Sequence, residues 1–326
     1  MPPALGMGSD EDRETGDMNA VLIANGFRMT MRRTQNSARM KKELRRLRER
    51  AQQLKEKRPA YGQILDFYVK LKEAQVKAKP SLKTDPIKLR KEWEDLLAKE
   101  GLSLIQKEDF PLDIAVSIKL FHSLCQIGQK ANPHMAEQVE KINKILNDDK
   151  IDLEKLFKGG AREREVEHIA AELGLDTKVF SFLIQSSARP SIEAGMEQLR
   201  VELDSETWLR SHCPVCGSLP SLSLLKGEGG KRYSLCSHCG YQWRMDRLAC
   251  PVCSNKEQES LKYFYGEGEE AYRIDLCDKC HHYIKTVDYR NLDESDPCLD
   301  DLATLHLDLL ASQKGYKRPV SNPWST

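Results

Sequence analysis

The chain has 326 residues, of which 40% are hydrophobic and 31% are charged. At a typical domain size of about 150 residues, this length predicts two compact domains, and the composition excludes a wholly disordered or collagen-like protein. The 51 Lys and Arg residues nearly equal the 50 Asp and Glu residues, so the net charge is +1 and no overall field draws the chain to nucleic acid or an anionic membrane.

The apolar stretches are too short to cross a membrane. The longest, residues 114–127, is interrupted by Ser, Lys, His and Gln, whereas a spanning helix needs ~20 apolar residues. Residues 20–24 are apolar, but they follow an acidic segment and lack the basic flank of a secretory signal. We therefore expect a cytoplasmic protein with no membrane span.

Residues 1–58 are predicted to be a tail followed by a basic helix. Within them, residues 32–58 carry twelve Lys or Arg and three Glu, for a net charge of +9. Four apolar residues recur there at helical spacing, on one face: Leu44, Leu47, Ala51 and Leu54. The pattern indicates either a solvated helix that packs its leucine face on the protein or a contact for an acidic partner or RNA.

Residues 59–205 are predicted to form an all-helical domain. Asp85 and Asn132 each precede a proline, which is typical of a helix N-terminus because the side chain accepts a first-turn N–H and proline has none to satisfy. Two further helices are expected at the end of this domain, over residues 179–184 and 186–203.

From Trp208 onward the pattern changes to short β-type runs bounded by Gly, Pro and Ser. Such runs cover residues 232–235, 241–244, 261–265, 271–276 and 283–287. Most of them lie beside a Cys-x-x-Cys pair. They predict two small ribbons, over residues 206–248 and 249–295.

Residues 296–326 are predicted to be a final amphipathic helix and a tail. Asp296 and Pro297 begin the helix, and Gly315 ends it. Its expected apolar side consists of Leu299, Leu302, Leu305, Leu309 and Leu310.

Eight of the ten cysteines form four Cys-x-x-Cys pairs within residues 213–280. Two intervening residues let both sulfurs face one ion, and two such pairs complete a tetrahedral site. Chain order predicts one group of Cys213, Cys216, Cys236 and Cys239 and a second of Cys250, Cys253, Cys277 and Cys280. An interleaved grouping is the alternative for the metal sites, and disulfides or redox-active thiol pairs are the alternative to metal.

The expected cofactors are two metal ions per chain, either Fe or Zn, because four thiolates suit both. The Cys-Pro-x-Cys-Gly and Cys-x-x-Cys-Gly-Tyr sequences at Cys213 and Cys236 are those of rubredoxins, which favours iron, whereas zinc is the usual structural ion. Neither site has an open coordination position, and no catalytic motif stands out, so we expect no enzyme. The fold class is then α+β, with an all-α N-terminal domain, tandem small-β rubredoxin-like or zinc-ribbon-like metal modules and a C-terminal helix.

Several residues near the pairs have two possible roles. Four histidines lie beside the ligands and could replace one, although the full cysteine count favours other roles: His212, His238, His281 and His282.

Eight aromatic residues are expected in the core rather than as base-stacking platforms: Trp208, Tyr233, Tyr241, Trp243, Tyr263, Phe264, Tyr265 and Tyr283. Four arginines pair with nearby acids or contact a protein partner: Arg232, Arg244, Arg247 and Arg273. Both remaining cysteines, Cys125 and Cys298, are expected to be inert, although a helix dipole could lower the pKa of Cys298.

The sequence resembles the FdhE family of formate dehydrogenase accessory proteins. Besides the four cysteine pairs, the resemblance is carried by the sequences at residues 186–190, 231–233, 242–243, 283–285 and 301–308. It implies a helper in formate dehydrogenase biogenesis that binds the catalytic subunit, with a helical domain before a module that holds rubredoxin-type iron on the eight cysteines. Ser254 departs from the pattern, because a glycine often follows the second cysteine of a pair.

Two other functions stay open, a zinc-ribbon nucleic-acid-binding protein and a rubredoxin-like electron-transfer protein. Residues 204–298 contain twelve Lys or Arg and fifteen Asp or Glu, a net charge of −3. A surface that neutralises phosphates needs the opposite sign, so the charge disfavours nucleic acid.

Overall fold

This computed structural model describes four ranges of the chain: residues 38–89, 99–199, 208–292 and 296–320. The chain divides into two compact units, residues 1–47 and residues 48–326. In the first unit, residues 38–47 are helical, and in the second unit, residues 48–57 are helical.

Part of the basic segment is buried. Its predicted apolar stripe is 7% exposed or less: Leu44, Leu47, Ala51 and Leu54. The Arg50 guanidinium lies 2.5 Å from a carboxylate oxygen of Asp300 and donates a 2.8 Å hydrogen bond to the Tyr272 hydroxyl. Arg58 pairs with Glu269 at 2.5 Å. Arg50 and Arg58 therefore pair with acidic residues of their own unit, and the role of the whole basic segment stays a prediction.

Helices occupy the described part of the chain before the sheet, as predicted. Asn132 begins one of them, because its side-chain oxygen accepts the Met135 N–H at 2.8 Å. Every described helix is too short or too polar to cross a bilayer. The helices are α1 (Gly62–Ala78), α2 (Ile114–Gly128), α3 (Pro133–Asn147), α4 (Leu153–Lys158), α5 (Glu163–Glu172) and α6 (Thr177–Leu199).

The predicted helix start at Asp85 is wrong. Residues 82–89 have no helix, and residues 90–98 lie outside the described ranges. The backbone around Asp85 bonds to a distant side chain instead: the Ile87 N–H donates to the Gln198 amide oxygen at 2.8 Å. A distant hydrogen-bond partner has replaced the helical one.

The break predicted between residues 184 and 186 is also wrong, because α6 runs through Pro190 without interruption. Proline cannot donate to the carbonyl four residues earlier, which belongs to Ser186. That carbonyl accepts a 2.8 Å hydrogen bond from the amide of Gln75 on α1. A neighbouring helix thus supplies the hydrogen bond that the proline removes.

The five predicted β-type runs and one further strand, at Pro220–Lys226, form one six-stranded sheet in the order β3-β2-β1-β6-β5-β4. Each predicted ribbon contributes three antiparallel strands, and a short parallel pairing of β1 with β6 joins them, with Ser223 opposite Thr286. The α+β class is confirmed. The strands are β1 (Pro220–Lys226), β2 (Lys231–Cys236), β3 (Gln242–Met245), β4 (Leu261–Tyr265), β5 (Tyr272–Cys277) and β6 (His282–Asp288).

The C-terminal region contains two short helices, α7 (Pro297–Leu302) and α8 (Leu305–Gln313), instead of the single helix predicted. The helix is interrupted at Thr304, whose hydroxyl donates to the Asp300 carbonyl at 2.7 Å. Because the break changes the helical phase, Leu307 is fully buried, whereas Leu309 and Leu310 of the predicted apolar side are 61% and 41% exposed.

Buried ion pairs hold these helices to the sheet. Lys285 on β6 is 1% exposed, and its ammonium lies 2.8 Å from Asp301 and 2.6 Å from Asp308. Arg318 pairs with the same two carboxylates, at 2.8 and 3.0 Å. The four charges balance, as burial of ionised groups requires.

Candidate metal centres

The structure brings the eight paired cysteines together in two groups that follow chain order. Within each group all four sulfurs lie within 4.8 Å of one another. This is the sequential grouping, not the interleaved one, and none of the ten cysteines forms a disulfide. The groups are Cys213, Cys216, Cys236 and Cys239, called the first centre, and Cys250, Cys253, Cys277 and Cys280, called the second centre.

The distances between sulfurs fit a tetrahedral thiolate site. In the first centre, Cys216 Sγ lies 3.4 Å from Cys236 Sγ and 3.7 Å from Cys239 Sγ. In the second, Cys250 Sγ lies 3.8 Å from Cys280 Sγ. A tetrahedron with metal–sulfur bonds of ~2.3 Å has edges of about 3.8 Å. Each group therefore has the size and the donor set to hold one ion of zinc or iron.

Each pair is built on a tight backbone turn. The Gly217 N–H donates to the Cys213 carbonyl at 2.9 Å, and the Ser254 N–H donates to the Cys250 carbonyl at the same distance. The turn at Cys277 is closed in the same way. This hydrogen bond closes a turn over the two intervening residues, and both sulfurs of a pair therefore face the same point.

The residue after each pair adopts a left-handed backbone. Its φ is +70° at Gly217, +74° at Gly240, +59° at Ser254 and +53° at His281. Glycine enters this region freely, whereas other residues are destabilised there by roughly 1–2 kcal/mol. Ser254, the departure from the family pattern, therefore keeps the geometry of the turn.

The first centre lies inside the main hydrophobic core. Its sulfurs belong to residues that are 5% exposed or less, and the same core contains helical residues such as Phe180 and Leu183. Trp243 on β3 is fully buried beside them, and its ring N–H donates to the Arg210 carbonyl at 2.8 Å. The helical region and the first ribbon thus share one core.

Arg189 on α6 connects that helix to the first centre. Its guanidinium donates to the His238 carbonyl, between the last two cysteines, at 2.6 Å and to Glu193 at 3.1 Å. Burial opposes the charge, but the Glu193 carboxylate outweighs this effect and raises the pKa of Arg189. The sequence contains this arginine in a recognisable stretch, but no local pattern links it to a turn almost fifty residues later.

The second centre is partly open to solvent. Cys250 and Cys277 are buried, Cys280 is half-buried and Cys253 is exposed. Asn255 supports this centre, because its side-chain amide lies 3.7 Å from Cys277 Sγ. The two centres thus have the same ligands but different access, a difference that the cysteine spacing does not predict.

The remaining two cysteines stay apart from both centres. Burial raises the pKa of Cys125 to about 12 and that of Cys298 to about 12. The inert role is the one that fits both thiols, since the dipole effect considered for Cys298 would have lowered its pKa.

The histidines beside the ligands contribute no atom to either group. His212 lies with its ring nitrogen 2.9 Å from the Gly101 carbonyl, and the His282 ring is 2.7 Å from the Cys280 carbonyl. These two rings contact backbone carbonyl groups near the two centres.

The eight aromatic residues divide into three sets, of which the partly buried one consists of Tyr233 and Phe264. Trp208, Tyr241, Trp243 and Tyr283 are buried, as expected. In contrast, Tyr263 and Tyr265 on β4 are 62% and 49% exposed, so the prediction that they belong to the core is wrong. Tyr263 and Tyr265 lie on one face of β4, whereas Phe264 on the opposite face packs against a buried cluster.

Two family models match the C-terminal third of the chain. One described as "FdhE, central domain" matches residues 212–247, and one described as "FdhE, C-terminal domain" matches residues 248–324. Each of these ranges contains one of the two cysteine groups.

Known proteins are similar in sequence to this chain over stretches of different length. A "Protein FdhE homolog" from Aquifex aeolicus is 28% identical over 273 residues, covering 82% of this chain and 90% of that protein. One from Haemophilus ducreyi is 36% identical over 131 residues, covering 39% of this chain and 42% of that protein. The crystal structure of the FdhE protein from Pseudomonas aeruginosa has the same fold, with a TM-score of 0.60 and 22% identity over 85% of this chain and 93% of that one.

Proposed function

We propose that this chain, which belongs to the FdhE family, is a non-enzymatic accessory protein that binds the catalytic subunit of a formate dehydrogenase during its biogenesis in the cytoplasm. The observation that carries the proposal is the pair of four-cysteine groups built into one sheet. Four thiolates leave no open coordination position, so such centres shape a surface and do not activate water.

We assign the eight cysteines as the ligands of two ions, Fe or Zn. Cys213, Cys216, Cys236 and Cys239 hold the first, and Cys250, Cys253, Cys277 and Cys280 hold the second. When bound, each ion crosslinks two hairpins that have too little core to fold by themselves. The first centre then fixes the ribbon to the helices, and the second fixes the outer ribbon that a partner can reach.

The test is the affinity of the purified, metal-loaded chain for a purified formate dehydrogenase catalytic subunit, measured by calorimetry. We expect the wild type to bind and Cys216→Ser, which removes a buried ligand of the first centre, to lose at least one ion and to bind at least tenfold more weakly. Cys125→Ala is the control, because Cys125 lies outside both centres. A wild-type protein that does not bind the subunit contradicts the proposal.

Electron transfer is a second candidate function, favoured by the exposed side chain of Cys253 at the second centre. A thiolate ligand that reaches the surface shortens the path between the centre and a redox partner. If this function is present, the natively expressed protein contains iron and shows ferric–thiolate absorption that bleaches reversibly on reduction. A colourless protein with stoichiometric zinc excludes it.

A further inference from the structure

Strand β4 presents a free edge. It pairs with β5 on one side, and no other strand in the described ranges pairs with its second side. A free edge exposes N–H and C=O groups that can pair with another chain, and proteins usually block long free edges. Residues 261–265 include neither proline nor glycine, and the ammonium of the one charged residue, Lys262, pairs with Asp278 at 2.6 Å.

Large side chains next to this edge are exposed to solvent. Tyr263 and Tyr265 are 62% and 49% exposed, with ring centroids 6.3 Å apart, and Leu248 in the preceding loop is 61% exposed. Tyrosine is enriched at protein interfaces, since it offers a large apolar area with a polar end. The edge therefore combines unpaired backbone with contact area for side chains.

A cavity of about 260 Å³ lies next to β4 and to the second centre. Tyr263 and Lys262 of β4 line one part of it. Its other walls include three guanidinium groups, one carboxylate and two cysteines of the second centre: Arg232, Arg247, Arg273, Asp275, Cys250 and Cys277.

The arginines of the cavity outnumber its carboxylates. Asp275 serves two of them, at 2.7 Å from Arg232 and 2.9 Å from Arg273. Arg247 has no carboxylate partner among the described residues, and the one hydrogen bond of its guanidinium there is a 3.4 Å contact to the Gly229 carbonyl. The contact of Arg273 Nε with Asp275 is an ion pair without hydrogen-bond alignment, so this buried N–H has no hydrogen-bond partner among those residues.

The crowded positive charge disfavours the charged form of Arg232. Burial lowers the pKa of this guanidinium, Asp275 opposes the effect, and Arg273 and Arg247 add to it. A carboxylate that entered the cavity would relieve this repulsion and satisfy the open donor of Arg273.

We propose that β4 and the adjoining arginine cavity form a docking surface for an extended, acidic segment of the partner polypeptide. The segment adds a strand to β4, contacts Tyr263 and Tyr265 with its apolar side chains, and places one carboxylate in the cavity against Arg247 and Arg273. This inference rests on the proposed function and names the place and the chemistry of partner binding.

The arginines also lie close to the second centre. Four thiolates with a divalent ion carry a charge of −2, which the same guanidinium groups offset in part. A variant that removes an arginine must therefore be tested for its metal content as well as for its affinity.

The experiment compares the affinity of the catalytic subunit for wild type, Arg247→Glu and Tyr263→Ser, with metal content measured on each sample. We expect both variants to keep two ions and to bind at least tenfold more weakly. In the wild-type complex we expect the amides of residues 261–265 to become protected from hydrogen exchange. Arg164→Glu is the matched control, because this exposed arginine lies on α5, outside the docking surface, and should leave the affinity unchanged.

Three results overturn the inference while leaving the proposed function intact: wild-type affinity in Arg247→Glu, no protection of the β4 amides on binding, or loss of the second ion in Arg247→Glu, which would assign this arginine to the metal centre. Absence of binding by the wild type is a different result, since it contradicts the proposed function itself.

Discussion

Single residues decide how the cysteine turns are closed. Gly217 and Gly240 supply the left-handed backbone at the first centre, whereas Ser254 and His281 adopt it at the second. The glycines are recognisable in the sequence. The serine and the histidine are not, because the turn and the sulfurs around it impose a conformation that neither residue favours by itself.

Gly240 should therefore be sensitive to a side chain, and Ser254 should not. A Cβ at Gly240 would lie 2.8 Å from Arg189 Nη2, at a φ of +74°. We expect Gly240→Ala to lower the free energy of unfolding by about 1–2 kcal/mol, and Ser254→Ala to change it by less than about 0.5 kcal/mol, measured by urea denaturation of the metal-loaded protein. Equal effects at the two positions would contradict this account of the turns.

Asp301 is expected to make the free energy of unfolding depend on pH in the acidic range. Burial opposes its ionisation, but Arg318 and Lys285 outweigh burial and hold the pKa of Asp301 at about 2, below its usual value of 3.8. Because the pKa is lower in the folded state, the stabilisation is complete above about pH 4 and is lost as the pH falls through 2.

The test compares wild type with Asp301→Asn. The wild type should be more stable by about 2 kcal/mol from pH 8 to about 4, and this difference should shrink at lower pH. The difference between the two proteins isolates the carboxylate, since both lose thiolate-bound metal in acid. A difference that stays constant down to pH 2 would show that Asp301 does not titrate in this way.

Among the elements, those set by local chemistry are the ones that the sequence predicts. Asn132 and Asp296 begin helices because a side chain satisfies an N–H only a few residues away. The predicted helix start at Asp85 and the predicted break between residues 184 and 186 are wrong. In both places a residue more than a hundred positions distant, Gln198 or Gln75, supplies a hydrogen bond.

The bond between Gln75 and α6 can be measured by a double-mutant cycle. Gln75→Leu leaves the partly buried Ser186 carbonyl without this hydrogen bond, which should cost about 1–3 kcal/mol. In a Pro190→Ala background, the new N–H can donate to that carbonyl, so the same substitution should cost less by about 1 kcal/mol. Equal costs of Gln75→Leu in the two backgrounds, measured by chemical denaturation, would contradict the assigned role of this side chain.

Strand β1 shows a further limit of sequence patterns. Its burial does not alternate along the strand, because β1 lies between β2 and β6 in the middle of the sheet. The alternation that marks an exposed strand is therefore missing, and β1 was not among the predicted runs. The other strands lie within one residue of their predicted limits, and four of these five strands begin or end beside a Cys-x-x-Cys pair.

In the whole molecule, the spacing of the cysteines predicts which sulfurs meet but not where the two groups lie. The first centre shares a core with α6, and this contact depends on Arg189 and on residues far from the cysteines in sequence. The second centre remains at the surface, next to β4. The domain limits at residues 58, 205, 248 and 295 stay predictions.

The difference in burial suggests a division of roles. The first centre joins the helical region to the sheet, so its loss should disturb the core. The second centre shapes the outer ribbon, where the free edge of β4 and the arginine cavity lie. A partner that binds this ribbon would then depend on both ions, one for the fold and one for the surface.

The most direct test of the account is the metal stoichiometry of the reduced protein, purified without oxygen at native expression and measured by native mass spectrometry. The account predicts two ions per folded chain, with one remaining in Cys277→Ser, which removes a ligand of the second centre only. A chain that is folded but metal-free, with its cysteines oxidised in pairs, would contradict it.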